Sequence, residues 1–122
     1  MKNISFILIV SLIVGCADQP TISITKFEGS PEFSNSILSL SKIAEDENFF
    51  AFLDINPNAK GHTLCIPKKE VDKVFDLDEE TYNGLMSFSR KVAIALEKAI
   101  NCKRVGVAVI GLEVPHVHVH LI

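Results

Sequence analysis

The chain has 122 residues, of which 48% are hydrophobic and 22% charged, with a net charge of −3 and a pI near 5.8. That length supports one compact core and is too short for two domains. The acidic balance excludes a broad nucleic-acid surface, so an anionic ligand must be met locally by a few placed donors.

Residues 1–16 differ in kind from the rest. Lys2 precedes a run from Ile4 to Gly15 that is apolar apart from its serines, and Ile13-Val14-Gly15-Cys16 gives way to polar Asp18-Gln19-Pro20. A short basic start, a brief apolar segment and small residues before the cut describe a secretory signal. The run is too short to cross a bilayer comfortably as a permanent helix. Its ending resembles a bacterial lipobox, with Cys16 as the lipidated residue; the alternative is a buried element that merely begins the fold. If the signal is real, the protein is anchored to a membrane through lipid on Cys16 and has no other membrane contact; otherwise it is cytoplasmic. Residues 17–35 mix Ser, Thr, Pro, Gly and charge and read as a linker or arm, leaving 36–122 as the folded domain.

Phe49–Ile55 (FFAFLDI) is aromatic and aliphatic and reads as a strand. Asn56-Pro57-Asn58-Ala59-Lys60-Gly61 supplies turn chemistry, and His62–Pro67 returns antiparallel. Asp78 reads as an N-cap, with Glu79 and Glu80 against the positive end of a helix. Leu85, Phe88, Val92, Leu96 and Ala99 then recur at steps of three and four, one apolar stripe on a helix ending near Asn101. Arg104–Ile110 reads as a strand, and Val114–Ile122 closes the chain, alternating from His116 onward. The order β-β-α-β-β with a meander-like sheet gives an α+β fold of about five antiparallel strands, one long helix and one short one. Cys65 sits in an apolar run and reads as a small buried hydrophobe. Cys102 reads as unpaired, with a Cys65–Cys102 disulfide as the alternative.

The informative segment is His116-Val117-His118-Val119-His120-Leu121-Ile122. In a strand, side chains alternate between faces, so the three histidines share one face at steps of roughly 6.6–7 Å while Val117, Val119 and Leu121 turn to the core. Three readings compete. Imidazoles ligate metals, but no cysteine or carboxylate stands at a familiar ligand spacing. The histidines could also simply occupy an exposed sheet face. The third reading is nucleophilic and acid–base work on a phosphate, which imidazole suits at neutral pH.

His-φ-His-φ-His-φ-φ, where φ is apolar, is the motif that names the histidine-triad (HIT) family. Ala51-Phe52-Leu53-Asp54-Ile55-Asn56-Pro57 through Gly61-His62-Thr63-Leu64-Cys65-Ile66-Pro67-Lys68 resembles that family's upstream block. Together they cover roughly residues 42–122.

The resemblance implies a metal-independent hydrolase of nucleoside 5′-phosphoramidates or related nucleotidyl conjugates. It implies a purine nucleotide substrate, no cofactor and a homodimer. Within the same resemblance lie a dinucleoside polyphosphate hydrolase and a nucleotide-binding module with little turnover. It makes His118 the nucleophile that forms a nucleotidyl-histidine, and it gives His116 and His120 hydrogen bonds to phosphate or leaving group. His62 supports the triad, Asp54 holds the ribose, and Phe52, Leu53, Ile55 and Leu64 line the base pocket. The better-studied branch carries a longer Gly-rich loop with an Asn, and Gln-Ser at the positions of Leu112 and Glu113, where they contact phosphate. Here Gly111 and the backbone N–H of Val114 remain as phosphate contacts, and Glu113 repels an anion if it points inward. The chain stops on the motif's last residue, which implies a truncated C-terminus.

Overall fold

The computed structural model describes residues 28–32 and 40–122. The signal reading of residues 1–16, Cys16 and most of the 17–35 arm lie outside the described residues. No helix among the described residues is long and apolar enough to cross a membrane.

Five strands form one antiparallel sheet: β1 (Lys42–Glu45), β2 (Phe49–Leu53), β3 (Thr63–Pro67), β4 (Val107–Ala108) and β5 (Val119–Leu121), in the spatial order β1-β2-β3-β5-β4. A 3₁₀ turn (Val74–Asp76) leads into the long helix α1 (Glu79–Ile100). The α+β architecture is as expected, but the sheet is not a meander, because the last strand inserts between β3 and β4.

Helix α1 begins where Asp78 caps it. One carboxylate oxygen accepts from the Thr81 N–H at 2.8 Å and the other from the Thr81 hydroxyl at 2.9 Å. These bonds hold the Asp78 carboxyl below its usual range. The helix stops at Asn101, whose φ of 53° is the left-handed conformation that ends helices. Its buried stripe is Leu85, Phe88, Ser89, Val92 and Leu96. Ala99, counted with that stripe from the sequence, is exposed; the partly buried Ile100 packs at Gly61 instead.

The sheet has two different faces. Phe49, Ala51, Cys65, Val119 and Leu121 pack with the α1 stripe into the main core. Phe50, Phe52 and Ile66 form a second apolar cluster with Leu40 and Leu64. Because β2 is covered on both sides, its FFAFL sequence is apolar throughout. Cys65 is buried against Ser89, and burial pushes its thiol up to about 12; it and Cys102 are free.

β1 is absent from the sequence reading because four residues with charged ends and a bulge between Lys42 and Ala44 give no alternating pattern. Expected strands 104–110 and 114–122 shorten to two and three residues for a linked reason. Before Val119, the last segment turns its backbone elsewhere, the Val117 N–H donating to the Val71 carbonyl at 2.8 Å. Residues after Ala108 therefore have no ladder partner in β5.

Gly84 lies inside α1, where alanine ordinarily improves helix stability by about 1 kcal/mol. Here a Cβ would stand 2.7 Å from Phe49 Cζ, and that ring is buried against Phe88 at 5.7 Å. Gly84→Ala is expected to destabilise the fold by about 1–3 kcal/mol through overpacking. Urea unfolding checks it, and adding Phe49→Leu should return much of the loss.

Candidate active site

The register aligns Phe52 with Leu64 and Leu64 with His120 across three neighbouring strands. Alternation then sets His120 on the sheet face away from α1, and the same face carries the second apolar cluster. This puts imidazoles beside an apolar platform. Leu40, Phe52, Leu64 and Ile66 line a cleft of about 600 Å³ together with Asp54, Ile55, Asn56, Ile110, Leu112, Glu113, Val114 and all three motif histidines.

His118 Nδ1 lies 2.7 Å from the His116 carbonyl oxygen. A carbonyl only accepts, so Nδ1 carries the proton and the neutral ring keeps its lone pair on Nε2. This is the tautomer that a nucleophilic imidazole needs.

His120 and His62 form a second chain. The Asn58 N–H donates to His62 Nδ1 at 3.1 Å, so His62 Nε2 holds the proton and donates to His120 Nδ1 at 3.0 Å. His120 is left with its proton on Nε2, a donor in the cleft. The His118 and His120 rings meet edge-on with centroids 4.8 Å apart, and the His62 and His120 rings are tilted by 41° with centroids 5.2 Å apart. His62 is buried behind His120 and does not line the cleft.

His116 is held differently. The Val71 N–H donates to its Nδ1 at 3.2 Å, and its Nε2–H donates to the Pro67 carbonyl at 3.0 Å. Both ring nitrogens are thus engaged by backbone, which corrects the expectation that His116 hydrogen-bonds a phosphate. Its ring locks the segment whose carbonyl fixes the His118 tautomer.

Asp54 Oδ1 accepts from the Asn56 N–H at 2.9 Å, and Oδ2 stands 3.4 Å from His62 Nδ1. Asp54, His62 and His120 offer atoms within 4.8 Å of one another, close enough for one metal ion, which would have to replace the His62–His120 hydrogen bond.

Other expected residues divide by geometry. Phe52, Leu64, Ile55 and Val114 line the cleft, with Ile55 78% exposed at its mouth. Leu53 does not, because alternation after Phe52 turns it to the main core. Gly111 lies on the other side of His118, in a second cleft of about 410 Å³ with Val109, Leu112, Phe75, Tyr82 and Met86. Glu113, the residue foreseen as repelling an anion, does line the histidine cleft. Leu40, Asn56, Ile66, Ile110 and Leu112 were not expected there. Of these, Ile66 follows from Leu64 by the two-residue period, whereas Leu40, Ile110 and Leu112 come from loops with no such signal.

Burial lowers the pKa of His116, with the positive charge of protonated His118 adding to the effect against hydrogen bonds and Glu70. Burial likewise lowers His120, reinforced by protonated His118 and His62 and opposed by Asp54. Folding therefore disfavours protonating both rings. Their contribution to stability is complete above the unfolded value of about 6.5 and is lost as pH falls through the lower folded values. Urea midpoints should accordingly drop between pH 7.5 and 5.5, and less steeply in His120→Gln.

A HIT domain is matched over residues 38–122. An uncharacterised HIT-like protein of Methanocaldococcus jannaschii is 35% identical over 92 residues, covering 72% of this chain and 71% of its own. The adenosine 5′-monophosphoramidase of Saccharomyces cerevisiae is 37% identical over 82 residues, or 66% of this chain and 52% of the yeast protein, so the chain spans about half of that enzyme. The crystal structure of a Hit-like protein involved in cell-cycle regulation from Bartonella henselae matches at a TM-score of 0.69 and 32% identity, over 75% of this chain and 74% of that one. With the matched domain spanning most of its length, this chain belongs to the HIT family.

Proposed function

We propose that the chain hydrolyses nucleoside 5′-phosphoramidates or related nucleotidyl conjugates through a covalent intermediate on His118. The observation that carries this reading is the 2.7 Å bond from His118 Nδ1–H to the His116 carbonyl, which in the neutral ring puts the lone pair on Nε2. The similarity to a yeast adenosine 5′-monophosphoramidase supports the substrate class.

In this mechanism His118 Nε2 forms a bond to phosphorus as the phosphorus–nitrogen bond of the substrate breaks. The departing nitrogen takes a proton from Nε2 of His120 in its imidazolium form, which leaves His120 neutral, and departs as an amine. Water then attacks the phosphorus, its proton passes to His120, and the His118–phosphorus bond breaks. The sum is phosphoramidate plus water giving nucleoside monophosphate plus amine. Two displacements replace one harder one. His120 suits the proton step because burial lowers its pKa, so its imidazolium gives up a proton readily and the neutral ring is ready to take one from water.

The base would lie on Phe52, Leu64 and Ile66, an apolar slot with few polar anchors. Asp54 would accept the ribose hydroxyls, since a carboxylate has about four lone-pair sites and hydrogen bonds here use only part of them. The reading includes a homodimer, supported by β4 at the sheet edge and the exposed apolar side chains of Val107, Tyr82 and Met86.

Turnover of adenosine 5′-phosphoramidate by the full chain tests the proposal. His118→Ala should lower kcat by about 10³-fold or more, chelator should have no effect, and acid quench of wild type should trap adenylyl-protein. Retained turnover in His118→Ala would refute the nucleophile. Binding of AMP without turnover would favour a binding module, and faster hydrolysis of diadenosine polyphosphates would favour the polyphosphate reading. Asp54→Ala should raise KM about tenfold, from the loss of hydrogen bonds to a charged acceptor. It should also erase the wild-type preference for ribo- over 2′-deoxyribonucleotide.

A further inference from the structure

The charge of the histidine cleft is unusual for a site that takes a phosphate. Among the described residues that line it there is no lysine or arginine, while Asp54 and Glu113 are both carboxylates. Asp54 is engaged by the Asn56 N–H and lies beside His62. Glu113 is exposed, and no hydrogen bond or ion pair engages its carboxylate among the described residues. It sits between Leu112 and Val114, both on the cleft wall with His118 and His120.

A polyphosphate brings several negative charges and would meet two carboxylates in a lining that holds no lysine or arginine. A nucleoside phosphoramidate brings only one, spread over a phosphoryl group that neutral imidazole donors can hold. Glu113 lines the same cleft as His118 and His120, the groups that act on the phosphorus and its leaving group. We infer that Glu113 is a specificity residue for the leaving group, selecting phosphoramidates whose departing amine carries a second, cationic nitrogen. This rests on the phosphoramidate reading above and names the substrate class for that same site. The bonds made and broken are those already given; Glu113 takes no part in them and acts by attraction to the cationic end of the amine. Leu112 and Val114 flank it, so the alkyl chain between the two nitrogens passes over apolar side chains.

Three adenosine 5′-phosphoramidates of similar length test this. Their leaving amines are 1,3-diaminopropane, n-butylamine and β-alanine, ending in an ammonium, a methyl and a carboxylate. Wild type should show kcat/KM in that order, each step roughly fivefold, the size of an exposed ion pair. Raising the salt to about 1 M should compress the spread, because the Debye length falls to about 3 Å. Glu113→Gln should also compress the ratio between the ammonium and carboxylate substrates, and Glu113→Lys should reverse it. A wild-type ratio near one, or a spread unchanged in Glu113→Gln, overturns the inference and leaves the phosphoramidate reading standing. If wild type cleaves none of the three nor the unsubstituted phosphoramidate, both fail. The salt series on wild type keeps the test decisive should a variant fold poorly.

Discussion

The hydrogen bond from His118 Nδ1–H to the carbonyl of His116 is the interaction on which the rest of the site depends. It spans only two residues, so it needs a backbone that bends between them, and the fold supplies that bend. His116 is tied at both ring nitrogens to Pro67 and Val71, and Val117 is tied to Val71 through its own backbone. Regular β pairing starts only at Val119. The triad thus straddles the point where the last strand leaves the β3–β5 ladder, and the carbonyl that sets the tautomer of His118 belongs to the irregular part.

Behind this lies a division of labour between the two faces of one sheet. Helix α1 covers one face with Leu85, Phe88, Val92 and Leu96, which makes the sheet a rigid support. The other face holds Phe52, Leu64 and Ile66 next to His120 in adjoining register. The pleat that buries Val119 and Leu121 is the one that presents His120, so core packing and site geometry are set together. A one-residue slip of β5 would bury its imidazole and expose its aliphatic neighbours, which makes the register energetically exclusive.

Much of this was legible in the sequence because it follows from periods of two and three-to-four. The alternation of His116–Leu121, the α1 stripe, the Asp78 cap and the turn before His62 all reappear in the structure. What could not be read came from backbone contacts across long sequence separations. Nothing in Pro67 or Val71 signals that their carbonyl and N–H will take both nitrogens of His116. Leu53 was misplaced by carrying over a pocket residue without applying alternation from Phe52. Gly111 was misplaced because residues after Ala108 leave the ladder and pass around His118. Ile110 and Leu112 reach the cleft from the same loop, beyond any periodic pattern.

The account's central claim is that the neutral His118 ring carries its proton on Nδ1, with Nε2 free to attack phosphorus. Two-bond ¹⁵N–¹H correlation spectra of the full chain near pH 7.5, with His118 assigned by comparison with His118→Ala, test it most directly. A protonated Nδ1 and an unprotonated Nε2 on His118 are the expected result. A ring protonated on Nε2, or one averaging between the two tautomers, would contradict it.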